Sequence, residues 1–273
     1  MARIPDLDDM LRDWPYEPSS VSVRKAKGKD GRDIIQMRIE MGVLQLETVG
    51  RPDGDRPEGH QTFYDYLMSL SLQTDEMTMT EDQCAEADRE FVQFYHRRIC
   101  WLAIREFERA KRDADHTLGL MDFCRKHSPD ESWTLTHEQY RPFVMFHRIQ
   151  AATLMALEDE DAELAIEEVN QGLSRMQQFF GEFEADEDFE ENELVARLVE
   201  LRESVREKFD VGRTLEEQLV DAIASEQYEL AAELRDRLSG REDGSILVAP
   251  LPSPSQFLAL TVLRSMRVSQ GSG

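Results

Sequence analysis

The apolar positions of this chain change period twice. Leu7, Met10, Leu11 and Trp14 recur at helical spacing behind Pro5, which suits a first helical turn, so a short amphipathic helix is expected over residues 5–14. The period then drops to two. Val21 and Val23, then Ile35, Met37, Ile39 and Met41, alternate as strands do, with Gly28-Lys29-Asp30-Gly31 as the turn between them. The alternation resumes as Leu44, Leu46 and Thr48, which predicts a bulge or bend at Gly42 and a small sheet of two or three strands. Residues 50–59 are too rich in Gly and Pro to be anything but a loop.

From His60 onward the period is helical. One helix is expected over residues 61–73. Another opens at Thr80-Glu81 and breaks near Glu106, and the next runs to about Lys126. A loop after Ser128-Pro129 passes Trp133 and leads to a helix from near Pro142 to about Leu157, whose partner spans residues 162–183. Shifting the chain by 55 residues lays Phe91 on Phe146, Ile99 on Leu154, Leu102 on Leu157, Ala110 on Ala165, Leu118 on Leu173 and Met121 on Met176. Small residues, Ala110 and Thr117 in one copy and Ala165 and Gly172 in the other, fall where two helices would cross. This resembles degenerate tetratricopeptide repeats, although the spacing exceeds the usual 34 residues; a plain helical bundle is the alternative. A last long helix over residues 193–209 places Leu194, Leu198, Leu201 and Val205 at the spacing of a coiled-coil seam. It is expected to lie along the segment that follows it, with Gly212 as the break.

That segment, LEEQLVDAIASEQYELAAELRDRL, holds two short helices with a tight break. Thr214 and Glu217 have capping-box spacing, so a helix starts at Leu215. Leu215, Leu219, Ala222 and Ile223 then form one stripe. Beyond Ser225 and Glu226, the residues Tyr228, Ala231, Ala232, Arg235 and Leu238 share a sector of a second helix, with Ala231 and Ala232 expected at a close crossing and Arg235 toward the partner helix. Leu234 also belongs to the pattern. The segment resembles the UVR motif, a helical hairpin of the excision-repair subunits UvrB and UvrC and of McsA-type adaptors and some Clp-family chaperones. The resemblance implies a protein–protein contact, with a second UVR-containing protein or a second copy as partner. It makes Leu215, Leu219, Ala222, Ile223, Tyr228, Ala231, Ala232, Leu234, Arg235 and Leu238 the partner-binding residues.

Composition narrows the function further. The 273 residues carry 32 basic and 56 acidic side chains, a formal net charge of −24, which repels phosphate backbones, so no direct nucleic-acid binding is expected. Residues 158–193 hold fifteen acids and one arginine, Arg175, and the acidic block 182–193 reads as a solvated linker. Cys84, Cys100 and Cys124 are odd in number and far apart, which suits neither a disulfide framework nor a CxxC zinc site and indicates a reduced, cytoplasmic setting. The amino terminus lacks a signal-peptide core, and no run approaches the ~18 apolar residues of a membrane span. No phosphate-binding loop or nucleophile motif is present. His96 and Cys100 share one helix turn without further metal ligands, and the polar loop Arg51, Asp53, Asp55, Arg56 and His60 reads as a turn.

The sequence therefore predicts a mainly α protein without catalytic, cofactor or metal sites, in four parts. Residues 1–60 form a short helix, small sheet and loop, and residues 61–183 a helical bundle or degenerate tetratricopeptide-like repeats. Residues 184–243 hold the acidic linker, a helix and the hairpin at 214–239, and residues 244–273 a Pro-containing apolar tail. In that tail, residues 257–266 are expected to dock on the protein's own helices or on a second subunit. The expected function is a non-enzymatic scaffold or adaptor. The alternatives are an accessory factor of excision repair or of a Clp-type protease acting through a protein partner, or an enzyme with an unrecognised site.

Overall fold

The computed structural model describes residues 6–73 and 76–239, so the tail at residues 257–266 lies outside the described residues. The described residues divide into two compact units, one up to Asp130 and one from Glu131. This boundary falls inside the helical block read from periodicity as residues 61–183.

The first unit begins with α1 (Asp8–Asp13) and a three-stranded antiparallel meander, β1 (Val23–Lys27), β2 (Asp33–Ile39) and β3 (Gly42–Glu47). The β1–β2 turn is the expected one: Gly31, at φ +85, donates to the Gly28 carbonyl, and Gly28 donates to that of Arg32. Gly42 is not a bulge. It pairs with Ile39 as the first residue of β3, so Glu40 and Met41 form a two-residue turn and Met41 is 89% exposed rather than continuing the alternation. The central strand is covered on both faces. Ile35 and Met37 pair with Leu46 and Leu44 on one face, while the other buries Gln36 and Arg38. Arg38 donates to the carbonyls of Trp14 (2.7 Å) and Gly42 (3.0 Å), and Arg24 stacks on the Trp14 ring, so the N-terminal segment is held to the sheet through arginines.

Helices α2 (Phe63–Ser71), α3 (Glu81–Ala103) and α4 (Phe107–His127) complete this unit. A buried ionic network ties them to the loop that follows the sheet. Glu90 on α3 is fully buried and accepts from the backbone N–H groups of Phe63 (2.7 Å) and Tyr64 (2.9 Å), which caps α2 at its positive end. His116 on α4 reaches the same carboxylate at 2.9 Å while stacking on Phe94. Arg97 pairs bidentately with Asp113 at 2.8 Å and donates onward to the carbonyls of Glu47 and Gly50. At the next position of α3, the wholly buried Arg98 donates to Thr117, one turn beyond Asp113, and its burial pushes its pKa down to about 10.

The second unit holds α5 (Glu131–Glu138), α6 (Arg141–Glu158), α7 (Ala162–Glu182), α8 (Asp186–Glu190), α9 (Glu193–Phe209), α10 (Leu215–Ala224) and α11 (Tyr228–Ser239). Neither α5 nor α8 is expected from periodicity. Helix α8 sits within the acidic block because Phe189 packs on Phe180, giving that turn an apolar anchor among carboxylates. Helix α9 packs on α7 and α6, burying Val195, Leu198 and Val205, and not along the hairpin as its seam suggested.

The 55-residue shift has a structural counterpart inside each unit. The α3–α4 and α6–α7 hairpins reverse at Arg105 and Glu160, both with positive φ and the same pair of closing hydrogen bonds. Most superimposed positions are equally buried, including Phe91 and Phe146, Ala110 and Ala165, and Met121 and Met176. At Gly172 a β-carbon would stand 2.4 Å from Ile149, so α6 and α7 approach where only glycine fits. The first unit's stability is expected to depend on its ion pairs. Asp113→Ala would leave Arg97 charged and buried, and chemical denaturation should show a loss of about 3–5 kcal/mol.

Candidate functional site

The hairpin α10–α11 is built around a short apolar seam. Leu215 and Ala222 of α10 meet Ala231 and Leu234 of α11, with Leu219 partly buried beside them. The reversal between the helices is a Schellman turn: Glu226, at φ +57, donates to the Ile223 carbonyl (3.0 Å), and Gln227 to that of Ala222 (2.8 Å). Thr214 opens α10 with the expected capping box, its hydroxyl accepting from Glu217 N–H (3.2 Å) and the Glu217 carboxylate accepting from Thr214 N–H (2.9 Å).

The ten residues singled out in the sequence separate into two sets. Leu215, Leu219, Ala222, Ala231 and Leu234 close the seam. Ile223 is 49% exposed, Tyr228 is 69% exposed, and Ala232 and Arg235 are exposed too, so Ala232 is not at the crossing and Arg235 does not face the partner helix. The physical reason is the width of the stripe. The second helix meets the first along Ala231 and Leu234, three apart, and Ala232 lies about 100° further round. The side chain of Leu238 lies outside the description.

The exposed set forms a surface of its own. Ile223 stands on one flank of α10, with Val220, 65% exposed, beyond it at the edge of the side toward α7 and α9, while Tyr228, Ala232 and Arg235 follow one another at i, i+4 and i+7 on α11. Both flanks are offset from the buried seam in the same rotational sense. In an antiparallel pair, that puts them on the same face of the two-helix layer.

Helix α10 faces α7 and α9 across a groove of about 720 Å³, lined mostly by polar residues such as Gln171, Ser174, Arg202 and Glu203, with Val220 at its edge. Glu217 bridges it. Beyond its capping role, its carboxylate accepts from Asn170 of α7 (2.9 Å) and pairs with Arg206 of α9. Burial raises the pKa of this carboxyl, but Thr214 N–H, Asn170 and Arg206 outweigh it and hold the group below the usual value. Leu215 N–H, an orphan donor of the first turn, goes to Glu163 of α7 (3.0 Å).

The polar loop after the sheet is bound to α3 through its charged side chains. Arg51 is buried and pairs with Glu86 (2.8 Å) and Glu90, while Asp53 accepts from Gln93 (2.6 Å), so these side chains clamp the loop to α3. His96 bonds through Nδ1 to the Val92 carbonyl at 2.8 Å, and the Cys100 thiol is fully buried with its pKa pushed up to about 12. Among the described residues no group of three or more His, Cys, Asp or Glu is placed to hold a metal ion, and no helix is long and apolar enough to cross a membrane.

The seam makes a differential prediction. Ala231→Leu overpacks it and should cost about 1–3 kcal/mol. Ala232→Leu, on the open face, should stay within about 0.5 kcal/mol of the parent, as surface substitutions do. Thermal melts of the two variants check both values, and equal effects would contradict the burial pattern.

The family model for the UvrB/uvrC motif, UVR, matches residues 213–240. Comparison with curated proteins and with solved structures finds no match. The α10–α11 pair, with its capping box, alanine seam and three-residue reversal, is therefore the UvrB/uvrC motif of this chain.

Proposed function

We propose that this chain is a non-enzymatic adaptor that docks a protein partner on the open face of its UvrB/uvrC hairpin. The observation that carries the reading is the separation within the hairpin: its seam closes on its own residues, yet Ile223 and Tyr228 remain exposed on one face. Large apolar side chains grouped on one exposed face mark an interaction surface. Tyrosine and arginine, here Tyr228 and Arg235, are the residue types that most often anchor such contacts. The net charge of −24 favours a protein partner over direct contact with nucleic acid. The principal charged groups of the first unit, Arg51 and Arg97, are paired with Glu86 and Asp113 in contacts between elements, which supports a scaffold over an enzyme.

Isothermal titration of the full chain against purified UvrB, purified UvrC, a UVR-bearing Clp chaperone and itself tests the proposal. One of these is expected to bind. Ile223→Asp and Tyr228→Ala should each weaken that affinity about tenfold or more, roughly 1.4 kcal/mol, with melting temperature unchanged. Binding that ignores both variants would sink the docking face, and turnover in ATPase or nuclease assays would sink the non-enzymatic part.

A further inference from the structure

The hairpin stands apart from the helices beside it. Its apolar cluster is made of its own residues, with no side chain of α7 or α9 among the members. What lies between is the polar groove of about 720 Å³, and the contacts across it are charged or polar. They converge on the first turn of α10, where Glu217 meets Asn170 and Arg206 and Leu215 N–H meets Glu163. Arg206 also donates to the Gly212 carbonyl at 2.7 Å, which ties down the connector from α9. That connector contains Asp210, left-handed at φ 52, and Gly212, where an added β-carbon would meet nothing within 4 Å. The two kinds of contact respond differently to solvent. Ion pairs with partly exposed members are screened as the Debye length falls to ~3 Å at 1 M salt, whereas an apolar seam is not weakened this way.

We propose that Glu217, with Arg206 and Asn170, is an electrostatic latch holding the hairpin beside α7 and α9, and that its release lets the hairpin swing as a unit about residues 210–213. The Thr214 cap uses the other carboxylate oxygen of Glu217, so opening the latch leaves the start of α10 intact. A charged partner that competes for Arg206 or Glu217 thereby changes how the hairpin face is presented. In that last respect the latch rests on the docking reading; the swing itself does not.

The test needs no partner. The three native cysteines are buried, so spin labels can be directed to Gln178→Cys on α7 and Glu233→Cys on α11, both exposed positions. Double electron–electron resonance on the full chain should give one narrow distance distribution at low salt. Arg206→Gln, or 1 M salt, should broaden it and move it to longer distance, and Arg206→Lys should restore it in part. Hydrogen exchange of the α10–α11 amides should stay protected throughout. Thr214→Val serves as the contrast, since it breaks the cap and should lose that protection. An unchanged distribution in Arg206→Gln would overturn the latch, as would loss of hairpin protection in that variant, because Arg206 would then be supporting the fold.

Discussion

Among the described residues, the α3–α4, α6–α7 and α10–α11 pairs depend on the same backbone constraint, a reversal completed in three residues, which Glu184 repeats between α7 and the short α8. In each, a non-glycine residue, Arg105, Glu160 or Glu226, takes the left-handed conformation, and the two amides that follow the helix close back on its last turn. The next helix starts two residues later, at Phe107, Ala162 and Tyr228. So tight a turn leaves the two axes close together at the start of the second helix, which favours a small side chain where both helices are long. Five residues after the left-handed one stands a buried alanine in these three pairs, Ala110, Ala165 and Ala231, whereas the position after Glu184 is Phe189 on the five-residue α8. A strained residue at the turn, costing roughly 1–2 kcal/mol, is offset by the helix contact it permits.

This constraint gives the hairpin its functional character. Because α10 and α11 meet through small and medium residues, they bury a narrow seam and close it without help. A narrow seam leaves the flanking apolar residues uncovered, so Ile223 and Tyr228 are exposed by the same geometry that holds the pair together. The α3–α4 pair meets a different demand. There the seam is wide enough to enclose arginines, and Arg97 and Arg98 are retained only because Asp113, Thr117 and backbone carbonyls satisfy them.

Much of this was legible in the residues. The mainly helical class, the small sheet, the capping box at Thr214 and the hairpin follow from period and cap chemistry, which are local. The parts that escaped depend on what packs where. Gly42 looked like a bulge because Met41 continued the alternation, but the turn was set by the pairing of Ile39 with Gly42. The seam of α9 was visible while its partner was not, since periodicity marks a face and does not name what covers it. Ala231 and Ala232 are equivalent in composition, and only the direction of the facing helix separates the buried one from the exposed one. Glu217 was legible as a cap and illegible as a bridge, because Asn170 and Arg206 are distant in sequence.

The measurement that bears most directly on the hairpin's two-sided character is hydroxyl-radical footprinting of the intact free chain, read residue by residue along α10 and α11. The expected result is strong oxidation of Tyr228 and Ile223 together with protection of Leu215 and Leu234. Protection of Tyr228 in the free protein, or oxidation of Leu234 equal to that of Tyr228, would contradict a closed seam with an open docking face.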